Sequence, residues 1–408
     1  MCPHRSDGAP ARGTKLSAVH LLCLGTYDTS KPRTRILRNG LRSAGVKLEE
    51  CHESVWEGVS DKSQVSGLLR RLLLLGRWLS RYPVLIWRFL RIRRPDLVLI
   101  GYPGVLDMLV LAPIAKLRGI PVVWDMFMSL YDTVVLDRAL LRRNSLFARC
   151  IYQVENFAVR LADLVFLDTA AHARRIEAMF HLPAGVCGAV WVGAEVEMFE
   201  ADPAATQSTN QTGTSLHVLF YGQFIPLHGV DTIIAAANLL RDEPFDWLLI
   251  GRGQEECRIR HMLQERPLPR VRWLEWVNYP DLRGWMLQAD ICLGIFGISE
   301  KAASVIPNKV FQTVAAGRPL ITRDSPAVQE LLRHEPPCVY LVQAGCPEAL
   351  AGALRQHRAA ISSSRPLHCH EGISRQIDGL AVGRQFLQLV ECRLARGYGK
   401  RVWRQNSQ

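Results

Sequence analysis

The chain has 408 residues, 48% of them hydrophobic and 22% charged, which excludes a disordered, collagen-like or coiled-coil chain and allows two or three domains. A net charge of +12, carried mostly by arginine, favours an anionic partner: a phosphate-bearing ligand, an acidic membrane face or nucleic acid. Eleven cysteines with no C-x-x-C pair disfavour a zinc ribbon or a disulfide framework and predict reduced thiols, as in a cytosolic chain.

Arg12 and Lys15 precede an apolar run over 16–24. His20 interrupts that run and no small-x-small site follows, so it reads as a first buried strand rather than a leader. Further short apolar runs at 46–49, 97–100, 122–124, 164–167 and 189–192 are expected to be strands covered on both faces. Longer segments such as 145–161 carry apolar residues at helical spacing. The window 98–115 is the most apolar, but Gly101, Pro103, Gly104, Asp107 and Pro113 argue against a membrane span. Between Arg70 and Arg94, eight arginines alternate with Leu, Trp, Ile and Phe. This predicts either a basic helix lying on an anionic bilayer, with Trp78 and Trp87 at the interface, or an amphipathic helix packed on the sheet. No recognised RNA-binding motif accompanies these aromatics, and no nucleic acid is expected.

Residues 196–215 are polar and nearly uncharged over most of their length and read as a linker. Strand–helix alternation then resumes, with strands expected at 218–221, 247–250, 271–274, 291–295, 319–322 and 338–342. Helices are expected at 229–240, 255–264, 279–288, 308–316, 327–333 and 347–360, with a last one over 373–395 packing back across both domains. The fold class is α/β. A tail over 1–15 precedes a Rossmann-like doubly wound domain over 16–195, and a second over 216–370 faces it across a cleft, followed by a returning helix and tail over 371–408.

Three strand–turn–helix stretches in the second half carry the chemistry. The first runs through Gly222, Gln223, His228 and Gly229, where backbone amides and a helix start can hold phosphate. The second places Arg252 between Gly251 and Gly253, a turn without the third glycine of a dinucleotide fingerprint. The third leads into a helix opening at Pro307 and Asn308. Lys309 lies in the first turn of that helix, where a cation opposes the helix dipole and a bound anion would offset the conflict.

The stretch 216–332 resembles the nucleotide-sugar-binding half of a GT-B glycosyltransferase of family 4. The resemblance rests on the 222–229 turn, the Ile250–Gly253 turn, the 271–282 strand and loop, and the helix end from Ala315 to Pro319. The first half matches only in its alternation and in Asp125 at its fourth strand. Gln223 and His228 stand where the family has Arg and Lys. Ser304 and Gln312 fall on its paired glutamates, and Trp124 stands before Asp125 where a histidine is common.

The cysteine usage and the basic segment 70–94 lead to the expectation of a cytosolic enzyme peripheral to the inner face of a membrane. The resemblance implies that it would move a sugar from a nucleotide-diphosphate donor to a hydroxyl of a glycan or lipid-linked acceptor with retention; no cofactor is expected, and no metal, since neither a D-x-D pair nor a His/Cys cluster is visible. Lys309, Asn308, Arg252 and a protonated His228 would hold the diphosphate, Gln312 the ribose, and Trp276 and Val277 the base. In the first half, Asp125, Ser129, Asp132 and the Asp168–His172 pair could line the acceptor side, with Asp125 and His172, together with Lys309, as the catalytic candidates; the pair could instead be a helix cap with a surface histidine, and Lys31, Arg33 and Arg35 could meet phosphate or form a basic solvated loop. The rival readings are a non-catalytic member of the family and a nicotinamide-dependent oxidoreductase built on Gly251 and Gly253.

Overall fold

The computed structural model describes residues 19–56, 73, 76–199, 215–361 and 369–397. The expected tail over 1–15, most of the linker and part of the 70–94 segment lie outside the described residues.

Two parallel sheets organise the chain. Strands β1 (His20–Gly25), β2 (Lys47–His52), β3 (Leu97–Ile100), β4 (Val122–Asp125), β5 (Leu164–Leu167) and β6 (Gly188–Ala189) pair in the order β2-β1-β3-β4-β5-β6. Strands β7 (Leu216–Tyr221), β8 (Phe245–Ile250), β9 (Val271–Leu274), β10 (Ile291–Leu293), β11 (Leu320–Arg323) and β12 (Val339–Val342) pair as β12-β11-β10-β7-β8-β9. The second order is that of a Rossmann fold.

Burial explains why the strands read as unbroken apolar runs. In β3, Leu97 and Leu99 join a core with helices Pro32–Ser43 and Gly379–Gly397. Val98 and Ile100, pointing the other way, join a core with helices Tyr82–Arg91, Val105–Leu117 and Leu146–Leu161. In the second sheet, Val218, Phe220, Leu249 and Ile291 pack with the Val230–Leu239 and Pro347–Ile361 helices. Covered faces remove the polar alternation that a half-solvated strand would show.

The chain forms two compact units, one made of residues up to Trp191 and those from Gly379 onward, the other of Val192–Asp378. The expected end of the first domain at 195 therefore moves to Trp191, two residues beyond β6. Helix Val196–Phe199 belongs to the second unit, and Ala194 N donates to Ile377 O there at 2.8 Å. In the first unit, Trp191 N donates to Gln385 Oε1 at 2.8 Å.

The expected last helix over 373–395 is two. A turn of helix, Glu371–Ser374, lies in the second unit, and Gly379–Gly397 packs on Pro32–Ser43 in the first. Glycines enable that packing: a Cβ on Gly40 would lie 1.8 Å from Gly379 O, and one on Gly383 2.4 Å from Gly40 C.

Three other expectations change. The helix expected at 327–333 is only the single turn Val328–Glu330, closed by i→i+3 bonds such as Leu331 N to Val328 O. The sixth strand is the two residues Gly188–Ala189 rather than 189–192, and it lies at the edge of the sheet beside β5. Cys338 and Cys369 form a disulfide rather than remaining reduced. Cys369 N donates to Gly317 O at 3.1 Å, so a main-chain contact already brings its segment to the end of the Asn308–Ala315 helix.

Candidate functional site

In the second sheet, the chain leaves β7 toward β8 on one side and β10 toward β11 on the other. Adjacent strands whose connections diverge open a crevice at their carboxyl ends, the usual ligand position in such sheets. Two loops meet there. Phe296 N donates to His228 O at 3.0 Å, and a Cβ on Gly229 would lie 2.6 Å from Gly297 N. Gly229 has φ +62°, so both its backbone conformation and its surroundings exclude a side chain. Replacing Gly229 with alanine is expected to cost at least about 1 kcal/mol, read as a lower urea midpoint at unchanged slope.

Lys309 is the unusual group. Pro307, as N-cap, opens the Asn308–Ala315 helix, and Lys309 follows in its first turn. The side chain is only 4% exposed. Its Nζ lies 3.9 Å from the centre of the Phe220 ring and makes no hydrogen bond among the described residues. Burial pushes its pKa well below the ordinary value of 10.5. A Cβ on Gly222 would stand 2.8 Å from Nζ and 3.0 Å from His228 Cε1, so the glycine turn lies directly against the ammonium. The His228 ring donates from Nδ1 to Gln223 O, which fixes the proton on that nitrogen.

The other predicted residues of this half fall into three settings. Gln312 is 6% exposed; its Oε1 accepts from Tyr221 Oη at 2.9 Å and its Nε2 donates to Tyr279 Oη at 3.1 Å. Tyr279 Oη in turn donates to Glu195 at 3.2 Å. Ser304 is buried, and its hydroxyl donates to Lys301 O at 2.9 Å within its own short helix. Arg252 is exposed, with its guanidinium 5.9 Å from the Trp276 ring, itself 67% exposed, while Val277 is half-buried. Gly251 and Gly253 serve chain packing: added Cβ atoms would lie 1.9 Å from Gly222 O and 2.7 Å from Phe224 O. At both positions the missing side chain admits a neighbouring backbone segment.

In the first unit the structure rewrites several expectations. Asp125 is 3% exposed and closed by Arg33, whose Nε lies 2.8 and 2.9 Å from its two oxygens. Arg33 also donates to Val190 O at 3.0 Å and Leu167 O at 3.3 Å. The pair is thus an internal brace, and Arg33 is neither a phosphate contact nor a solvated loop residue. Burial, opposed by Arg33 and reinforced by the charge of Asp168, leaves the Asp125 carboxyl above its usual range. Arg35 donates to Ser30 O, and Lys31 is the N-cap of its helix.

Ser129 and Asp132 are fully buried and do not present themselves to an acceptor. Ser129 donates to Glu155 at 2.7 Å, and Arg175 donates to Asp132 at 2.7 Å. Glu155 also accepts from Leu130 N and Tyr131 N, and burial raises its pKa to about 7. His172 is fully buried, with Nδ1 2.6 Å from Asp168 Oδ1, while Nε2 has no hydrogen-bond partner among the described residues. Thr169 caps the Ala170–Met179 helix by accepting from His172 N.

Sequence reasoning missed Phe220, Tyr221, Tyr279 and Glu195 as parts of the site. The first two end β7 immediately before Gly222, yet only the strand order marks that end as the switch point.

A family model described as glycosyl transferases group 1 matches residues 215–358, within the second unit. One described as glycosyl transferase 4-like domain matches residues 17–187, within the first. The putative colanic acid biosynthesis glycosyl transferase WcaI of Escherichia coli (strain K12) is 27% identical over 172 residues, 42% of this chain and 42% of that protein. The chain therefore matches less than half of that relative's length. Among solved structures, sucrose-phosphate synthase from Thermosynechococcus elongatus superposes with a TM-score of 0.68 at 18% identity, over 93% of this chain and 99% of that one. HepE of Anabaena, in complex with UDP, gives 0.63 at 14% identity, over 92% and 100%. At such identities the structural likeness establishes the fold. With a glycosyltransferase model on each unit and two Rossmann-like sheets, this chain belongs to the family 4-like glycosyltransferases of GT-B fold.

Proposed function

We propose that the second unit binds a nucleoside-diphosphate sugar at the β7/β10 switch point and that the enzyme passes the sugar to an acceptor hydroxyl with retention. The observation that carries this is the buried Lys309 ammonium, unpaired among the described residues, at a helix N-terminus beneath the Gly222 turn. A diphosphate would supply the missing counter-charge, and the first-turn amides of Asn308–Ala315 would add donors. As the glycosidic bond breaks, negative charge grows on the leaving diphosphate, and fixed donors lower that barrier. In a same-face mechanism a donor phosphate oxygen takes the acceptor's proton, so the protein's work is positioning and electrostatics. Arg252 and Trp276 stand exposed beyond β8 and β9, on the side where the base would lie. The UDP-bound HepE structure makes UDP sugars the first to try. The acceptor, a glycan or a lipid-linked glycan, would be met by the first unit. Among the described residues no helix is long and apolar enough to cross a membrane.

A second reading, a non-catalytic sugar-nucleotide binder, is favoured by one observation. Gln312, at a family carboxylate position, already has both ends of its amide engaged by tyrosines. A thermal-shift screen of UDP, ADP and GDP sugars tests both readings. A ligand at about 100 times its Kd stabilises by about 2.7 kcal/mol, a shift of several degrees. We expect that shift with one donor class and its loss in Lys309→Ala. Slow release of nucleoside diphosphate from the bound donor would mark an enzyme, and binding without any release a binder. No shift with any nucleotide would overturn the donor site.

A further inference from the structure

The Leu146–Leu161 helix buries Ala148, Glu155, Ala158 and Val159 against the first sheet's core. Its opposite face is not polar. Phe147 is 74% exposed and Phe157 58%, and Cys150 and Val154 are exposed between them. Positions 147, 150, 154 and 157 advance by three and four, so they form one stripe along the helix. Charge on this segment is equally one-sided. Residues 140–161 hold four arginines and a single acid, Glu155, which is turned inward. Arg142, Arg143 and Arg149 are exposed around the start of the helix, where cations oppose its dipole.

The neighbouring layer continues the pattern. The Val105–Leu117 helix packs alongside, with its one acid, Asp107, buried and Leu117 89% exposed. Arg118, just beyond it, donates to Phe89 O at 2.5 Å and Ile92 O at 2.7 Å, tying it to the end of the Tyr82–Arg91 helix. That helix turns Trp87 outward, 54% exposed, beside Arg91. Both helices thus add exposed apolar side chains, Leu117 next to Lys116 and Arg118 in sequence, and Trp87 beside Arg91.

We infer that the outer face of this helical layer, centred on the 147–157 stripe, docks on an anionic lipid surface. Phe147 and Phe157 enter the boundary between headgroups and acyl chains, and Arg142, Arg143 and Arg149 meet lipid phosphates. A second copy is a poor occupant, because a two-fold contact would set these arginines against each other. The inference does not rest on the donor site.

Co-sedimentation of the full chain with phosphatidylcholine vesicles, with and without phosphatidylglycerol, tests it. The protein is expected to bind the mixed vesicles and to leave them at high salt. Phe147→Ser/Phe157→Ser should lower partitioning roughly tenfold or more, with an unchanged melting temperature because both side chains are exposed. Arg142→Glu/Arg143→Glu/Arg149→Glu should abolish the preference for anionic vesicles. Equal binding of the wild type and the serine variant, or no binding at all, overturns the inference. So does self-association of the wild type that the serine variant abolishes, or loss of binding only in Trp87→Ser.

Discussion

Replacing Lys309 with methionine is expected to lower donor turnover by about 10²–10³-fold while raising the stability of the ligand-free protein. The two effects have one cause. An ammonium that is 4% exposed and without a hydrogen bond among the described residues has lost its water and gained only the Phe220 ring face. Methionine fills similar space without that cost, so the ligand-free melt should rise by the equivalent of roughly 1–3 kcal/mol. A residue kept only for packing would not show opposite signs in stability and turnover.

The proton balance makes the same case. Burial lowers the Lys309 pKa, so between that lowered value and 10.5 the folded state holds fewer protons than the unfolded chain. Stability therefore rises with pH across this window, and the slope should flatten in Lys309→Met. A bound diphosphate favours the charged amine and raises its pKa again. Donor binding within the window should then take up a proton in the wild type and none in Lys309→Met. Calorimetry in two buffers of different ionisation enthalpy reads this directly. Donor binding without proton uptake anywhere in the window would separate Lys309 from the ligand.

The second large effect is expected at Arg33. Changing it to methionine should destabilise the protein by about 3–5 kcal/mol, because Asp125 would keep a buried carboxylate without its partner. Two carbonyls, Val190 O and Leu167 O, lose donors as well. The double variant Arg33→Met/Asp125→Leu should recover much of the loss, since removing both charges removes the orphan. Urea midpoints for the singles and the double complete the cycle. Activity without stability loss in Arg33→Met would contradict a bracing role. Loss of turnover at full stability in Asp125→Asn would return Asp125 to the catalytic machinery.

Legibility differed between elements for physical reasons. Strands 97–100, 164–167 and 271–274 and the helix 279–288 could be placed to the residue. Apolar runs and a Pro near the helix start are local signals; burial on both faces leaves the runs at 97–100 and 164–167 unbroken, while in 271–274 the exposed Arg272 stands between apolar neighbours. Lys309 could also be singled out, since a cation in a first helical turn conflicts with its own backbone whatever surrounds it. Asp125 could be noticed but not understood. Its partner lies 92 positions away, and no periodicity reports a contact of that separation. Separations of 31 to 91 positions likewise hid the Tyr221–Gln312–Tyr279–Glu195 chain and the Cys338–Cys369 bond.

By itself, the sequence determined the alternating strands and helices, the two-sheet α/β class, the glycosyltransferase resemblance and the glycine turns of the second half. Each depends on neighbours within a few residues. Strand order was decided only in the tertiary structure, and with it the switch point at which Phe220, Gly222, His228 and Lys309 converge. The tertiary structure also sealed Asp125 beneath Arg33 and returned the last helix to the first unit. These outcomes depend on which distant surfaces exclude water from one another, and desolvation is a property of the assembled neighbourhood rather than of any segment.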